Sequence, residues 1–236
     1  MTSLRIGTWN VERPSVRGWK RPLRNPVIME QIRSVNADIW VLTETHEVII
    51  PGEDYASAST LQSPHYPEGE RSATIWSRYP IIRQLETFDP YTAVCVEIKS
   101  PIGNLLVYGS IITYANDKGS KGNARMWEEH YKSILAHEAD WGKLRTENLP
   151  ICCAGDFNET LNDSRWYGTK KGRRMLEQAL QTNHLECLTK DYRIDHICIS
   201  QDWVSATDIF QWEPPLFSDK PVSDHWGYHC DLLLST

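Results

Sequence analysis

Eight side chains able to do metal or acid–base chemistry stand at the margins of five short apolar runs: TWNVE, DIWVLTET, CAGDFNET, RIDHICIS and VSDHWGYH. They are Asn10, Glu12, Glu44, Asp156, Asn158, Asp195, Asp224 and His225. Carboxylates are costly to bury unless something cationic gathers them, so this recurrence points to a shared positive centre. Apart from the His225 imidazole every donor is an oxygen, and no thiolate accompanies them by motif. Such a set prefers Mg²⁺ or Mn²⁺ to Zn²⁺ or copper. Glu44, placed directly after an apolar run, is the foremost ligand; Asn10 and Glu12 complete the shell directly or through water, and Asp224 is a further ligand. A hard cation held there would bind a phosphate oxygen and neutralise the charge that builds in an in-line displacement. Asp156 and Asn158 are two apart on an extended segment, so they face the same way.

The elements that must position these groups follow from periodicity. Strands are expected at 4–9, 38–43, 72–78, 81–88, 92–99, 104–112, 150–155, 193–199, 203–211 and 226–234. In 92–99, Val94, Val96 and Ile98 alternate with Glu97 and Lys99, and the turn Pro101-Ile102-Gly103-Asn104 leads into the next strand as a hairpin. Asn25-Pro26 starts a helix with Ile28, Ile32 and Val35 on one face. A second helix is expected at 123–141, with Trp127, Tyr131, Ile134 and Leu135 on one side, and a third at 172–183. Each of the five runs is read as a strand that finishes in its polar residues. Many strands and few helices predict two packed sheets with helices outside, in a single domain spanning 1–236.

The motifs and their order resemble the endonuclease/exonuclease/phosphatase superfamily of metal-dependent phosphoesterases. The resemblance runs from Ile6 to His225 and is carried by Gly155-Asp156-Phe157-Asn158, by Ser223-Asp224-His225, by the spacing from Asp38 to Glu44 and by Ser77-Arg78-Tyr79-Pro80. It implies an α+β, four-layer αββα sandwich with the site at one end of the sheets. Asp156 matches the residue that orients or deprotonates the attacking water, and Asn158 matches one that helps hold the phosphate. Asp195 matches the carboxylate that pairs with the catalytic His, which favours the imidazolium of His225. Whether the water proton goes to Asp156 or His225 is left open. Tyr114 and Asn116 correspond to a Tyr and an Asn that contact phosphate in the exonuclease-like branch. Ile112-Thr113-Tyr114 replaces the Thr-His-Leu usual in the DNase, sphingomyelinase and deadenylase branch. Asp191-Tyr192 runs straight into Arg193 without the aromatic insert of abasic-site enzymes, and the Trp-Cys-Asp-Arg of inositol polyphosphate phosphatases is absent. Asp38 is read as a turn residue, His196 as structural, and His46 as outside the site.

The net charge of −6 argues against indiscriminate coating of nucleic acid. Yet 13 of the 25 Lys and Arg fall in three windows free of acidic residues, 13–24, 118–125 and 165–174, each following a motif. Arg125, Arg173 and Arg174 are the phosphate-binding candidates among them, and Trp19, Trp166 and Tyr167 could stack on bases. A cationic rim round a metal site favours a polyanion, so the expected activity is a nuclease on DNA or RNA. A phosphatase on a small phosphorylated metabolite or lipid headgroup is the second reading, and a non-catalytic binding module the third. No apolar run approaches spanning length, and MTSLRIGTWN leaves no room for a signal peptide, so a cytoplasmic monomer without membrane insertion is expected. The six Cys show no CxxC spacing and read as buried thiols, with Cys152 and Cys153 on opposite faces of one strand.

Overall fold

The computed structural model describes residues 3–18, 21–162, 166–201 and 203–234. The main elements in chain order are β1 (Ser3–Asn10), α1 (Asn25–Val35), β2 (Ile39–His46), β3 (Ala56–Ser59), β4 (Glu70–Ser77), β5 (Ile81–Leu85), β6 (Ala93–Ser100), β7 (Gly103–Ile111) and α2 (Glu128–Leu144). They continue with β8 (Ile151–Asp156), α3 (Lys170–Thr182), β9 (Leu185–Cys187), β10 (Asp195–Ser200), β11 (Val204–Trp212), the short β12 (Leu216–Phe217) and β13 (Lys220–Pro221), and β14 (Gly227–Leu234). One sheet has the order β11-β14-β1-β2-β4-β3 and the other β5-β6-β7-β8-β10-β9. Each is antiparallel except for one central pair, β1 with β2 and β7 with β8. A parallel pair needs a crossover, and α1 and α2 supply the two.

Three apolar clusters make the four layers. Leu4, Ile6, Val41 and Ile75 of the first sheet meet Val94, Val96, Val107 and Cys152 of the second in the central core. Trp9, Trp40 and Leu42 cover the outer face of the first sheet against Ile28, Ile32 and Val35 of α1. Tyr108, Cys153 and Cys198 lie on the other side of the second sheet against Ile134 and Trp141 of α2 and Leu176 of α3. Cys152 and Cys153 therefore do face opposite layers, and all six thiols are free and buried. The α+β sandwich expected from the sequence is the fold observed. No helix of the described residues is long and apolar enough to cross a membrane.

The second helix differs from its expected form. It begins at Glu128, five residues late, and Leu135, expected on the packed face, is 55% exposed. The buried face instead carries His130, His137 and Asp140. Tyr108 on β7 explains the burial of His137 and Asp140, because its hydroxyl donates to Asp140 Oδ2 at 3.0 Å and sits 2.8 Å from His137 Nδ1, while His130 Nδ1 lies 2.6 Å from the Thr113 carbonyl. Hydrogen-bonded polar groups can be buried without the desolvation penalty that an apolar-only count assumes. Strand β3, lying at the sheet edge, and the three-residue β9 were not expected.

Candidate active site

Topology explains why distant segments meet. Parallel β1 and β2 run toward the same edge, which places Asn10 at the end of β1 and Glu44 near the end of β2. In the second sheet β8 ends at Asp156 on that edge. The remaining two segments begin strands, as the expected bounds 193–199 and 226–234 implied, and do not finish in their polar residues as the pattern of the five runs suggested. Asp195 opens β10, opposite Asp156 in register, and His225 stands two residues ahead of β14. Because β10 and β14 run antiparallel to their central neighbours, their starts lie where β8 and β1 end.

Backbone strain collects at this edge. Glu12, Arg13, Glu44 and Asn158 have φ of 51°, 49°, 45° and 49°, a left-handed conformation that is uncommon for residues other than glycine. Gly155 needs to be glycine twice over: its φ is 135°, and a Cβ there would lie 2.1 Å from the Ser110 carbonyl oxygen. The β7–β8 pair thus closes tightly just below Asp156.

The buried Asp156 carboxylate is the hub. Asn10 Nδ2 donates to its Oδ2 at 3.0 Å, and the Asn158 backbone N–H to its Oδ1 at 2.9 Å. His225 Nε2 lies 3.9 Å from Oδ2, while His225 Nδ1 donates to Asp195 Oδ2 at 2.6 Å. Ser223 fixes the approach, donating through Oγ to the Asn10 carbonyl and accepting from the His225 N–H. Trp9 Nε1 donates to the His225 carbonyl. Burial raises Asp156, and Asp195 and Glu44 add to this against the opposing pull of His225, leaving it at about 7. Burial alone would lower His225, but the charges of Asp195 and Asp156 outweigh it and push it up to about 10. An imidazolium therefore faces Asp156 near neutral pH.

Asp156, Asp195 and His225 offer ligand atoms within 4.8 Å of one another. The 2.6 Å contact between Asp195 and His225 is nonetheless a charge-assisted hydrogen bond. Two ligands on an ion at about 2.1 Å sit roughly 3 Å apart, so that pair is better spent orienting the ring. The oxygen donors Glu44, Asn10 and Glu12 are of the type that suits a hard divalent cation. Glu44 is near enough to act on Asp156 electrostatically and is partly exposed. Its Oε2 is 3.2 Å from Arg13 Nε, and Arg13 also reaches Glu70 at 3.3 Å and stacks on Tyr66. Asn10 Oδ1 accepts from the Glu12 N–H, and the Glu12 carboxylate pairs with Arg24 at 3.3 Å. Asp224 is largely exposed, 3.7 Å from His225 Nε2.

The other expected site residues are more dispersed. Asn158 Nδ2 donates to the Ile112 carbonyl, pinning the strand end before Tyr114, which is 52% exposed beside Tyr167. Asn116, Arg125 and Arg174 are exposed. Arg173 is bound to Thr160, Nε to its carbonyl at 2.8 Å. Lys118, Lys121 and Arg125 line a cleft of 490 Å³, but Glu128 and Glu129 line it too. With Arg13 and Arg24 engaged by carboxylates, the rim is less cationic than the windows implied. Trp19, Lys20 and Arg165 lie outside the described residues. His196 is structural as read, bonded to Thr189 and the Glu159 carbonyl, and Asp38 accepts from the Arg5 N–H as a turn residue. The sequence reading missed Glu159, fully buried, whose carboxylate accepts from the Thr169 N–H and lies 3.4 Å from His130. Its place directly after Asn158 was the only signal.

The sequence profile of the Endonuclease/Exonuclease/phosphatase family matches residues 7–225. The match supports phosphoester hydrolysis as the class of chemistry of the chain. No curated protein matches the chain. Among solved structures, an AP endonuclease from Archaeoglobus fulgidus is similar with a TM-score of 0.73 at 12% identity, over 99% of this chain and 100% of that one. The human Nocturnin catalytic domain with bound sulfate gives 0.68 at 16%, over 99% and 95%. A 3′ phosphatase from Neisseria bound to a product DNA hairpin gives 0.68 at 15%, over 99% and 100%. At these identities the likeness speaks for the fold.

Proposed function

Because the chain belongs to the endonuclease/exonuclease/phosphatase family, we propose that it is a divalent-metal-dependent phosphodiesterase that cleaves DNA or RNA by in-line attack of water. The observation that carries this reading is Asp156, held by Asn10 and Asn158 and facing a His225 that is itself charge-paired with Asp195. His225, raised to about 10, already holds its proton and cannot take one from water. Asp156 therefore acts as the general base, with a value near the working pH, where proton transfer is most effective. The imidazolium faces the phosphoryl oxygens and offsets their growing charge. Asn158 holds the loop against Ile112, which keeps Tyr114 at the lip of the site. Mg²⁺ or Mn²⁺ would be held by Glu44 with Asn10 and Glu12 adjusting round it, and would supply charge neutralisation at a phosphoryl oxygen. Asp224, 3.7 Å from His225 Nε2, would be a further ligand to the ion, and Asn116, Arg125 and Arg174 would serve as contacts for a longer substrate.

The test is incubation of the purified protein with Mg²⁺ and, separately, labelled DNA and RNA oligonucleotides and small phosphomonoesters. Shortened oligonucleotides are expected. Phosphate release from monoesters alone would replace the nuclease with a phosphatase, and no turnover of any substrate would favour a binding module.

A further inference from the structure

At the lip of the site three side chains form a stack that the sequence reading did not foresee. The Arg193 guanidinium lies 4.8 Å from the Trp166 ring centroid and 4.6 Å from that of Trp226. Each member comes from a segment that also carries a residue of the site. Trp166 is on the loop leaving Asp156 and Asn158, Arg193 is two residues before Asp195, and Trp226 directly follows His225. The stack thus ties together the three segments that hold the reactive groups.

Three cations of the basic windows are already engaged: Arg13 by Glu44 and Glu70, Arg24 by Glu12, and Arg173 by Thr160. Among the described residues no carboxylate pairs with Arg193. A guanidinium packed on indole rings keeps its N–H donors in its own plane, directed along its edge. That edge is a flat fork matched to two oxygens of one phosphate. The rings also fix the side chain before any ligand arrives, which removes part of the ordering cost of binding. Arg193 is two residues from Asp195, and its partner Trp226 adjoins His225, so the guanidinium is tied to the edge of the site through the chain that carries its reactive groups.

We propose that Arg193, packed against Trp166 and Trp226, binds the phosphodiester next to the one being cleaved. This assignment rests on the nucleic-acid reading above and sharpens it, since only a substrate with a second backbone phosphate can use the site. A small phosphorylated metabolite with one phosphate gains nothing from it.

The experiment compares kcat/KM of the full chain on a labelled oligonucleotide and on bis(4-nitrophenyl) phosphate, a diester with a single phosphate. Arg193→Gln is expected to lower the ratio of the two by about tenfold or more, the scale of one charged bidentate contact. In EDTA, where nothing is cleaved, the salt dependence of oligonucleotide binding read by anisotropy should lose about one unit of slope. Arg193→Lys keeps the charge without the planar fork and should fall between the two; it carries the test if the Gln variant melts early. Equal loss on both substrates, or an unaltered salt slope, overturns the assignment. Wild-type protein that cleaves only monoesters would end the nuclease reading and this site with it, whereas a wild-type nuclease matched by Arg193→Gln would end this site alone.

Discussion

Replacing Asp195 with Asn removes one charge from the centre of the site while keeping a side chain of the same shape. The 2.6 Å contact with His225 Nδ1 is worth about 6 kcal/mol of attraction at an effective dielectric of 20, before the cost of burying the ring. The rise of His225 from 6.5 to about 10 corresponds to a net effect on the order of 5 kcal/mol. Without Asp195, burial again opposes the charged ring, and only Asp156 and the largely exposed Asp224 remain close to support it, so His225 should titrate at about 7 or lower. At pH 8.5 the protonated share would then fall from nearly all to roughly 3%, a loss of about thirtyfold in the competent form from protonation alone. The direct assay is an NMR titration of ¹⁵N-labelled imidazole in EDTA from pH 5 to 11, comparing wild type with Asp195→Asn. The expected result is an inflection near 10 in the wild type and one about three units lower in the variant. An inflection that moved by less than one unit would refute the charge-pair account of His225.

Both upward shifts carry the same sign for stability. The His225 contribution is fully present below 6.5 and lost as pH rises through about 10, and that of Asp156 is lost as pH rises through about 7. The urea midpoint of the metal-free protein should therefore fall from pH 6 to 10, and a flat profile would contradict it. Asp156→Asn should cut turnover by two or more orders of magnitude with its melting temperature nearly kept; a loss below tenfold would remove Asp156 as the base. Glu44→Gln should raise the Mn²⁺ dissociation constant about tenfold or more by calorimetry, and unchanged binding would take Glu44 out of the metal shell. Gly155→Ala puts a Cβ 2.1 Å from Ser110 O at a φ of 135°, and should lower stability by about 3 kcal/mol or more in thermal melts.

The identity of the reactive groups was legible in the chain, because chemistry of this kind demands particular residue types and a buried strand has little other use for them. Asp156, Asn158 and His225 stand out against their apolar runs, and the alternation of Val94, Val96 and Ile98 marked a two-faced strand as it proved to be. Strand direction was not legible. A run such as RIDHICIS reads the same whether its carboxylate opens or closes the strand, and only the antiparallel pairing with β8 brings Asp195 opposite Asp156. The packed face of α2 was misread for a related reason: burial of His137 and Asp140 depends on Tyr108, a partner some thirty residues away in sequence. Likewise the basic windows showed where cations lie along the chain but not which were engaged. Arg13 and Arg24 proved to be bound to carboxylates, while Arg193, outside every window, packs against two indoles. By itself the sequence determined which chemistry is available, since that resides in side chains. Which groups share an ion, a proton or a charge was decided by tertiary structure, because those interactions fall off over a few ångströms and depend on segments far apart along the chain.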